Sequence, residues 1–267
     1  MRTLFYTTVF LLFLTGCSKN PIEKEGRLDL SDKDLSNIVS TLGFDTTGMS
    51  VFGDTILVEG DIILYKSLLA KTRPRQATTT TVTGYSKTHL RIFVPQSLAS
   101  EENLILDAFR EFTKARAEGS TTNLTFEITR AVTVGDVLIR YTTLKDSPGV
   151  CAFAEFPTVS GSNLNVGRNI TINSRQWRNL NSSQKKQLII HEFGHCIGLR
   201  HTNWIGLGES AGSYVNGQYI GAYTVPGTPN STTNPDPLSV FNGGTCGHSW
   251  NGFSEYDKVA INYLQGN

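Results

Sequence analysis

The sequence predicts an α+β protein. Three observations carry that expectation: strand-like and helix-like segments alternate as β-α-β-β-β-β-α between residues 89 and 197, residues 202–252 are rich in Gly, Pro, Asn, Ser and Thr without a period, and a capped helix closes the chain from Ser254. His89-Leu90-Arg91-Ile92-Phe93-Val94 is strand-like. Leu98, Leu104, Ile105, Ala108, Phe109 and Phe112 recur at helical spacing, and that helix is expected to end near Gly119. Leu124–Ile128, Val137–Tyr141, Val150–Phe156 and Asn169–Ile172 read as four more strands. A second helix is expected to open at Asn181 or Ser182, both good caps, and to run through Leu188-Ile189-Ile190 to Ile197. In the last helix Tyr256, Val259, Ala260 and Leu264 are expected to share one face.

The 267 residues allow one good core and an accessory segment. Charged residues are only 18% of the chain and 25 residues are glycine, which excludes wholesale disorder and coiled coil. A formal charge of +1 gives no basic excess to neutralise a phosphate backbone, so nucleic-acid binding is not expected.

Residues 1–16 read as an export signal: Arg2 is followed by the apolar stretch Leu4–Leu14, too short for a stable membrane anchor. Leu14-Thr15-Gly16-Cys17 then resembles the lipobox of bacterial lipoproteins, in which cleavage precedes an acylated cysteine. The mature chain would be neutral and held on a membrane through Cys17. Residues 17–36 are polar and charged and read as a tether. Residues 37–75 contain the apolar stretches Thr55–Val58 and Ile62–Tyr65 and end in Lys71-Thr72-Arg73-Pro74-Arg75, which reads as an exposed linker. They form either a pro-segment or a small permanent domain, ahead of a main domain at 76–267. Past Cys17 the cysteines are Cys151, Cys196 and Cys246, so one disulfide at most, with its pairing left open.

Chemistry concentrates in His191-Glu192-Phe193-Gly194-His195-Cys196-Ile197-Gly198-Leu199-Arg200-His201. Histidines at i and i+4 share a helix face, so His191 and His195 can reach one ion. Gly198 can turn the chain back at the helix end, bringing His201 to the same ion. Three neutral imidazoles leave zinc a fourth position for water, the pattern of a catalytic site, and Glu192 stands beside the first ligand as a general base for that water. At this composition the first five-residue pattern arises by chance in roughly one chain in two hundred, and the full pattern in about one in a hundred thousand. His89 reads as an ordinary strand residue, His248 as a loop histidine, and Cys196 as a packing or disulfide residue.

The string resembles the extended zinc signature of the metzincin metalloproteases. More narrowly, HEFGHCIGLRHTNW is similar to the HEIGH metallopeptidases, a family rich in bacterial lipoproteins. Val225–Pro229, Phe253–Lys258 and Val58–Ile62 carry weaker matches, and the resemblance covers about residues 40–267. It implies a metzincin-like fold: a twisted mixed β-sheet, a backing helix, an active-site helix, and an irregular C-terminal subdomain ending in a helix. It also implies Zn2+ as cofactor and an endopeptidase whose substrate strand lies antiparallel to the sheet edge around Val150–Phe156. Val58-Glu59-Gly60-Asp61-Ile62 resembles the pro-segment motif of astacins, whose aspartate caps the zinc; Asp61 is therefore expected to be a latency switch. Two positions depart from the pattern. Phe241 stands where the methionine of the turn beneath the zinc belongs, and Asn203 replaces an aspartate.

The expected partners are thus a peptide or protein substrate and, through the lipid anchor, a membrane of the bacterial envelope, either the outer membrane or the cell surface. The chain is expected to act as a monomer. A different class of function, a non-catalytic zinc-containing envelope lipoprotein that binds a surface ligand, has Phe241 as its support and Glu192 against it.

Overall fold

A computed structural model describes residues 31–69, 85–115, 124–144, 149–160, 163–209, 212–215, 218–221, 224–229, 234–244 and 246–265. The leader, Cys17, the Lys71–Arg75 stretch and Gly119 lie outside the described residues. The elements run α1 (Asp32–Thr41), β1 (Ser50–Phe52), β2 (Thr55–Val58), β3 (Ile62–Tyr65), α2 (Lys66–Leu69), β4 (His89–Phe93), a 3-10 turn (Gln96–Glu101), α3 (Glu102–Lys114), β5 (Thr125–Thr129) and β6 (Val137–Thr142). They continue with β7 (Ala152–Glu155), β8 (Thr158–Ser160), β9 (Asn163–Asn165), β10 (Asn169–Asn173), α4 (Ser174–Trp177), α5 (Ser182–Cys196), β11 (Gly212–Val215), β12 (Gln218–Gly221) and α6 (Glu255–Leu264).

Eight strands form one mixed, twisted sheet in the order β1-β2-β3-β7-β10-β6-β4-β5. From β10 to β5 the strands are parallel, β7 lies antiparallel to β10, and the β1–β2–β3 meander joins β7 through a parallel pairing of β3. The architecture is the α+β one the sequence predicts. β10 is buried at all five residues, as a strand flanked on both sides should be.

Helices α3 and α5 pack on each other and on the sheet, with an aromatic cluster between them. Phe193 of α5 meets Phe109, Phe112 and Phe126 at ring-centroid distances of 4.7, 4.9 and 5.4 Å. Phe193 lies within the histidine motif, yet two residues from His191 it falls on the opposite side of the helix, and burying its side chain contributes about 2–3 kcal/mol. Lys186 binds Asp107 and Glu111 at 2.5 and 2.7 Å, tying α5 to α3 from the outer side. The back of α5 is thereby fixed to the core, and the helix packs across β7 and β10 in the middle of the sheet.

A second, smaller core joins Leu35, Val39, Leu42 and Phe44 to Ile56, Val58 and Ile62. It covers one face of the β1–β3 meander, and Phe44 meets Phe156 edge-on at 5.3 Å. For residues 32–36, the described end of the expected tether, the structure has a helix instead. Helix α1 begins at Asp32 because the Ser31 hydroxyl accepts from Asp34 N–H, and Leu35 and Val39, four residues apart, are both buried.

Two further differences have plain causes. The region read as aperiodic holds the β11–β12 hairpin, whose strands are only four residues each. In α6, Ala260 and Leu264 of the expected face pack on the main core, but the deeply buried residues are Asp257 and Ile261, and Tyr256 and Val259 are exposed. Asp257 faces inward to serve hydrogen bonds described below, which rotates the helix away from the face that hydrophobicity alone suggests. Cys151 and Cys246 form a disulfide, and Cys196 is a buried free thiol in the main core.

Candidate metal centre

Helix α5 starts from a capping box: the Asn181 side chain accepts from Gln184 N–H at 3.0 Å, and the Gln184 side chain accepts from Asn181 N–H at 2.9 Å. It ends at Gly198, whose φ of 104° lets the chain reverse, with Leu199 N–H donating to Gly194 O at 2.9 Å. Three residues later His201 comes back toward His191 and His195. The ring centroids of the three histidines lie 4.8–5.3 Å apart.

Each imidazole is oriented through Nδ1. His191 donates to Val240 O at 2.9 Å and His195 to Leu199 O at 2.7 Å, since a carbonyl only accepts. His201 Nδ1 stands 2.5 Å from Glu209 Oε1. With Nδ1 of His191 and His195 protonated, their Nε2 lone pairs face each other at 3.2 Å. Asp61 completes the group: its carboxylate oxygens lie 3.4 Å from Nε2 of His191, 3.4 Å from Nε2 of His195 and 3.1 Å from Nε2 of His201. The four donor atoms are all within 4.8 Å of one another. Three imidazole nitrogens and a carboxylate converging in one buried space are a donor set that suits zinc. The residues present therefore fit the metal.

The same field acts on the protonation of these groups. Burial pushes the Asp61 carboxyl up, but His195, His201 and His191 together hold it well below the usual carboxylate range. Burial depresses His201, yet Asp61 and Glu209 outweigh it and push its pKa up to about 10. Glu192 is raised well above its ordinary value, first by burial and then by the Asp61 charge. Its Oε2 is buried and has no hydrogen-bond partner among the described residues.

The floor is a turn. Asp257 accepts from the Ser239 hydroxyl at 2.6 Å, from Val240 N–H at 3.0 Å and from Ser254 N–H at 3.1 Å. One carboxylate thus caps α6 and fixes the peptide whose carbonyl orients His191. Phe241 is buried, 2% exposed, and its ring lies against α5. A Cβ on Gly194 would stand 2.2 Å from Phe241 Cε1, so the glycine inside the histidine motif is what lets this ring in. Asn203 accepts from Gly243 N–H at 2.8 Å through its amide oxygen, which an aspartate oxygen would do equally.

Of the residues singled out in the sequence, the structure brings together His191, His195, His201, Glu192, Asp61 and Phe241. His89 is an exposed strand residue bonded to Thr125, His248 is exposed, and Cys196 is a core residue. Glu209 and Asp257 escaped sequence reading. Glu209 sits in a glycine-rich loop with no pattern around it; Asp257 carried one signal, the Ser254-x-x-Asp257 capping box. Glu209→Ala is expected to lower zinc affinity about 10- to 100-fold, because His201 loses the partner that orients its ring. Competition with a chromophoric chelator checks this, and an unchanged affinity would deny Glu209 that part.

A family profile described as "dual-action HEIGH metallo-peptidase" matches residues 63–265. Among solved structures, myroilysin is similar in fold, with 13% identity and a TM-score of 0.42 over 69% of this chain and 96% of that one. High choriolytic enzyme 1, a hatching enzyme zinc-protease from Oryzias latipes (medaka fish), is similar with 13% identity and a TM-score of 0.36, covering 71% of this chain and 98% of that one. No curated protein matches the chain in sequence.

Proposed function

The chain belongs to the HEIGH metallopeptidase family, and on that premise we propose that it is an exported, lipid-anchored zinc endopeptidase kept latent by its own N-terminal segment. One observation carries the reading: a donor set fit for zinc stands beside a buried carboxylate, Glu192, one of whose oxygens has no hydrogen-bond partner among the described residues. A purely structural site has no use for such a group.

Zinc, when bound, acidifies a water molecule and polarises the carbonyl that the water attacks. His191, His195 and His201 would hold the metal, and the oxygens at their Nδ1 atoms keep the rings aimed. Glu192 accepts the proton that the attacking water sheds and returns it to the amine nitrogen as the C–N bond breaks. The substrate backbone pairs with β7 as an added strand, using the N–H groups of Ala154 and Phe156. In the intact chain those groups donate to Asp61 O at 2.8 Å and Ile63 O at 3.1 Å. The pairing of β3 along β7, together with the Asp61 carboxylate among the three histidines, supports latency. Cutting within Lys71–Arg75 is the proposed activation step.

The test is digestion of denatured casein by the full chain after limited trypsin cleavage and inhibition of the trypsin. Casein is expected to be cut, the activity to vanish with a chelator, and zinc to restore it. No cleavage, or cleavage indifferent to the chelator, would overturn the reading in favour of a ligand-binding lipoprotein. Leu14-Thr15-Gly16-Cys17, with its likeness to a lipobox, supports Cys17 as the proposed anchor; among the described residues no helix is long and apolar enough to cross a membrane. Cys17→Ser is expected to move the protein from the membrane to the soluble fraction; unchanged membrane association would defeat the anchor.

A further inference from the structure

The turn between β2 and β3 carries two carboxylates, and only Asp61 goes to the histidines. Glu59 goes to Arg200, the residue just before His201. Its Oε2 accepts from Arg200 Nε at 3.0 Å and its Oε1 accepts from Arg200 Nη2. The Glu59 side chain is fully buried and that of Arg200 is 9% exposed. Arg200 Nη1 also donates to Gly43 O at 3.0 Å, and its guanidinium lies over the Phe44 ring, 5.1 Å from the centroid.

Two features show how strongly this contact is imposed. Glu59 has a φ of 53°, and among the described residues it alone has a positive φ without being glycine. A left-handed glutamate is strained where Gly or Asn would be relaxed, so the turn tolerates strain to place this side chain. Burial also pushes the Glu59 carboxyl up, against the pull of Arg200. A guanidinium fork matches a carboxylate in geometry as well as charge. Arg200 itself belongs to the histidine segment and stays in place when residues 43–59 leave, taking Glu59, Gly43 and Phe44 with them.

We infer that Arg200 sets the specificity of the opened cleft, selecting peptides with an Asp or Glu side chain within about three residues of the scissile bond, bound as Glu59 is bound in the latent chain. The inference rests on the proposed removal of the N-terminal segment. The turn then acts as a two-pronged plug, with one prong on the metal site and the other in the pocket for the substrate's acidic side chain.

The experiment uses the full chain, activated by limited trypsin cleavage, first on a random peptide library and then on matched peptides differing only by Glu or Gln at the position the library favours. The expected Glu-over-Gln ratio in kcat/KM is about tenfold. It should fall to near one in Arg200→Met and turn toward Lys in Arg200→Glu. A second arm needs no refolded variant: a synthetic peptide of residues 55–65 should inhibit the activated parent, and its Glu59→Gln counterpart about tenfold less. A parent ratio near one overturns the inference while the peptidase reading stands. That is the result if Glu59–Arg200 is only a latch, or if Glu209 takes up the arginine after activation. A preference that survives Arg200→Met, or equal inhibition by the two peptides, also overturns it. An activated parent that cleaves nothing overturns the peptidase reading and this inference with it.

Discussion

Glu192→Gln is expected to keep the fold and the zinc and to lose activity by about a hundred- to ten-thousand-fold in kcat. The side chain is buried and its Oε2 has no partner among the described residues, so the amide fills the same space without breaking a bond seen at that atom. Replacing a buried carboxylate also removes a desolvated acid, so thermal stability should hold or rise slightly. Metal content by atomic absorption, melting temperature and kcat on a cleaved peptide check the three statements. A variant that turns over as fast as the parent, with zinc bound, would remove Glu192 from the mechanism.

Asp61→Ala in the uncut chain is expected to raise peptidase activity over the uncut parent by at least about tenfold, the equivalent of 1.4 kcal/mol. The increase should stay below the activity of the cut chain. Removing the carboxylate clears the three Nε2 atoms, but Ala154 and Phe156 still donate to the carbonyls of Asp61 and Ile63, and Glu59 still holds Arg200. The measurement is cleavage of a short quenched peptide, with gel electrophoresis confirming that the chain remains whole. Equal activity of variant and parent would refute the switch and leave the zinc site standing.

Much of this site is legible in the sequence because it is local. His191, His195, Gly198 and His201 fall within eleven residues, and their convergence follows from helical spacing and one left-handed glycine. What supports them comes from far along the chain. Val240 O meets His191 from 49 residues away, and Asp61 reaches His201 across 140. Val240 is chosen for its backbone, so no residue type marks it. Asp61 could be anticipated only by likeness to a pro-segment motif; its own neighbours say turn and no more. Helix α5 itself has little amphipathic pattern, because Gln187 to Cys196 are all buried, and its cap and its motif located it instead. Helix α1 went unread for the opposite reason: its acid-rich surface hides the two apolar residues that anchor it.

The bond between Cys151 and Cys246, 95 residues apart in sequence, closes the stretch between them into a covalent ring. Glu192, the three histidines, Arg200, Glu209 and Phe241 all lie on it. A single nick anywhere on that ring opens a loop but releases no piece. Asp61, Glu59 and Cys17 lie outside it. One cut between residues 70 and 84 breaks their covalent link to that ring, so under the proposed latency the same event is dispensable on one side and decisive on the other. If Cys17 carries lipid and the cut segment then leaves β7 as proposed, the ring is shed from the membrane while Asp61 and Glu59 stay behind with the anchor.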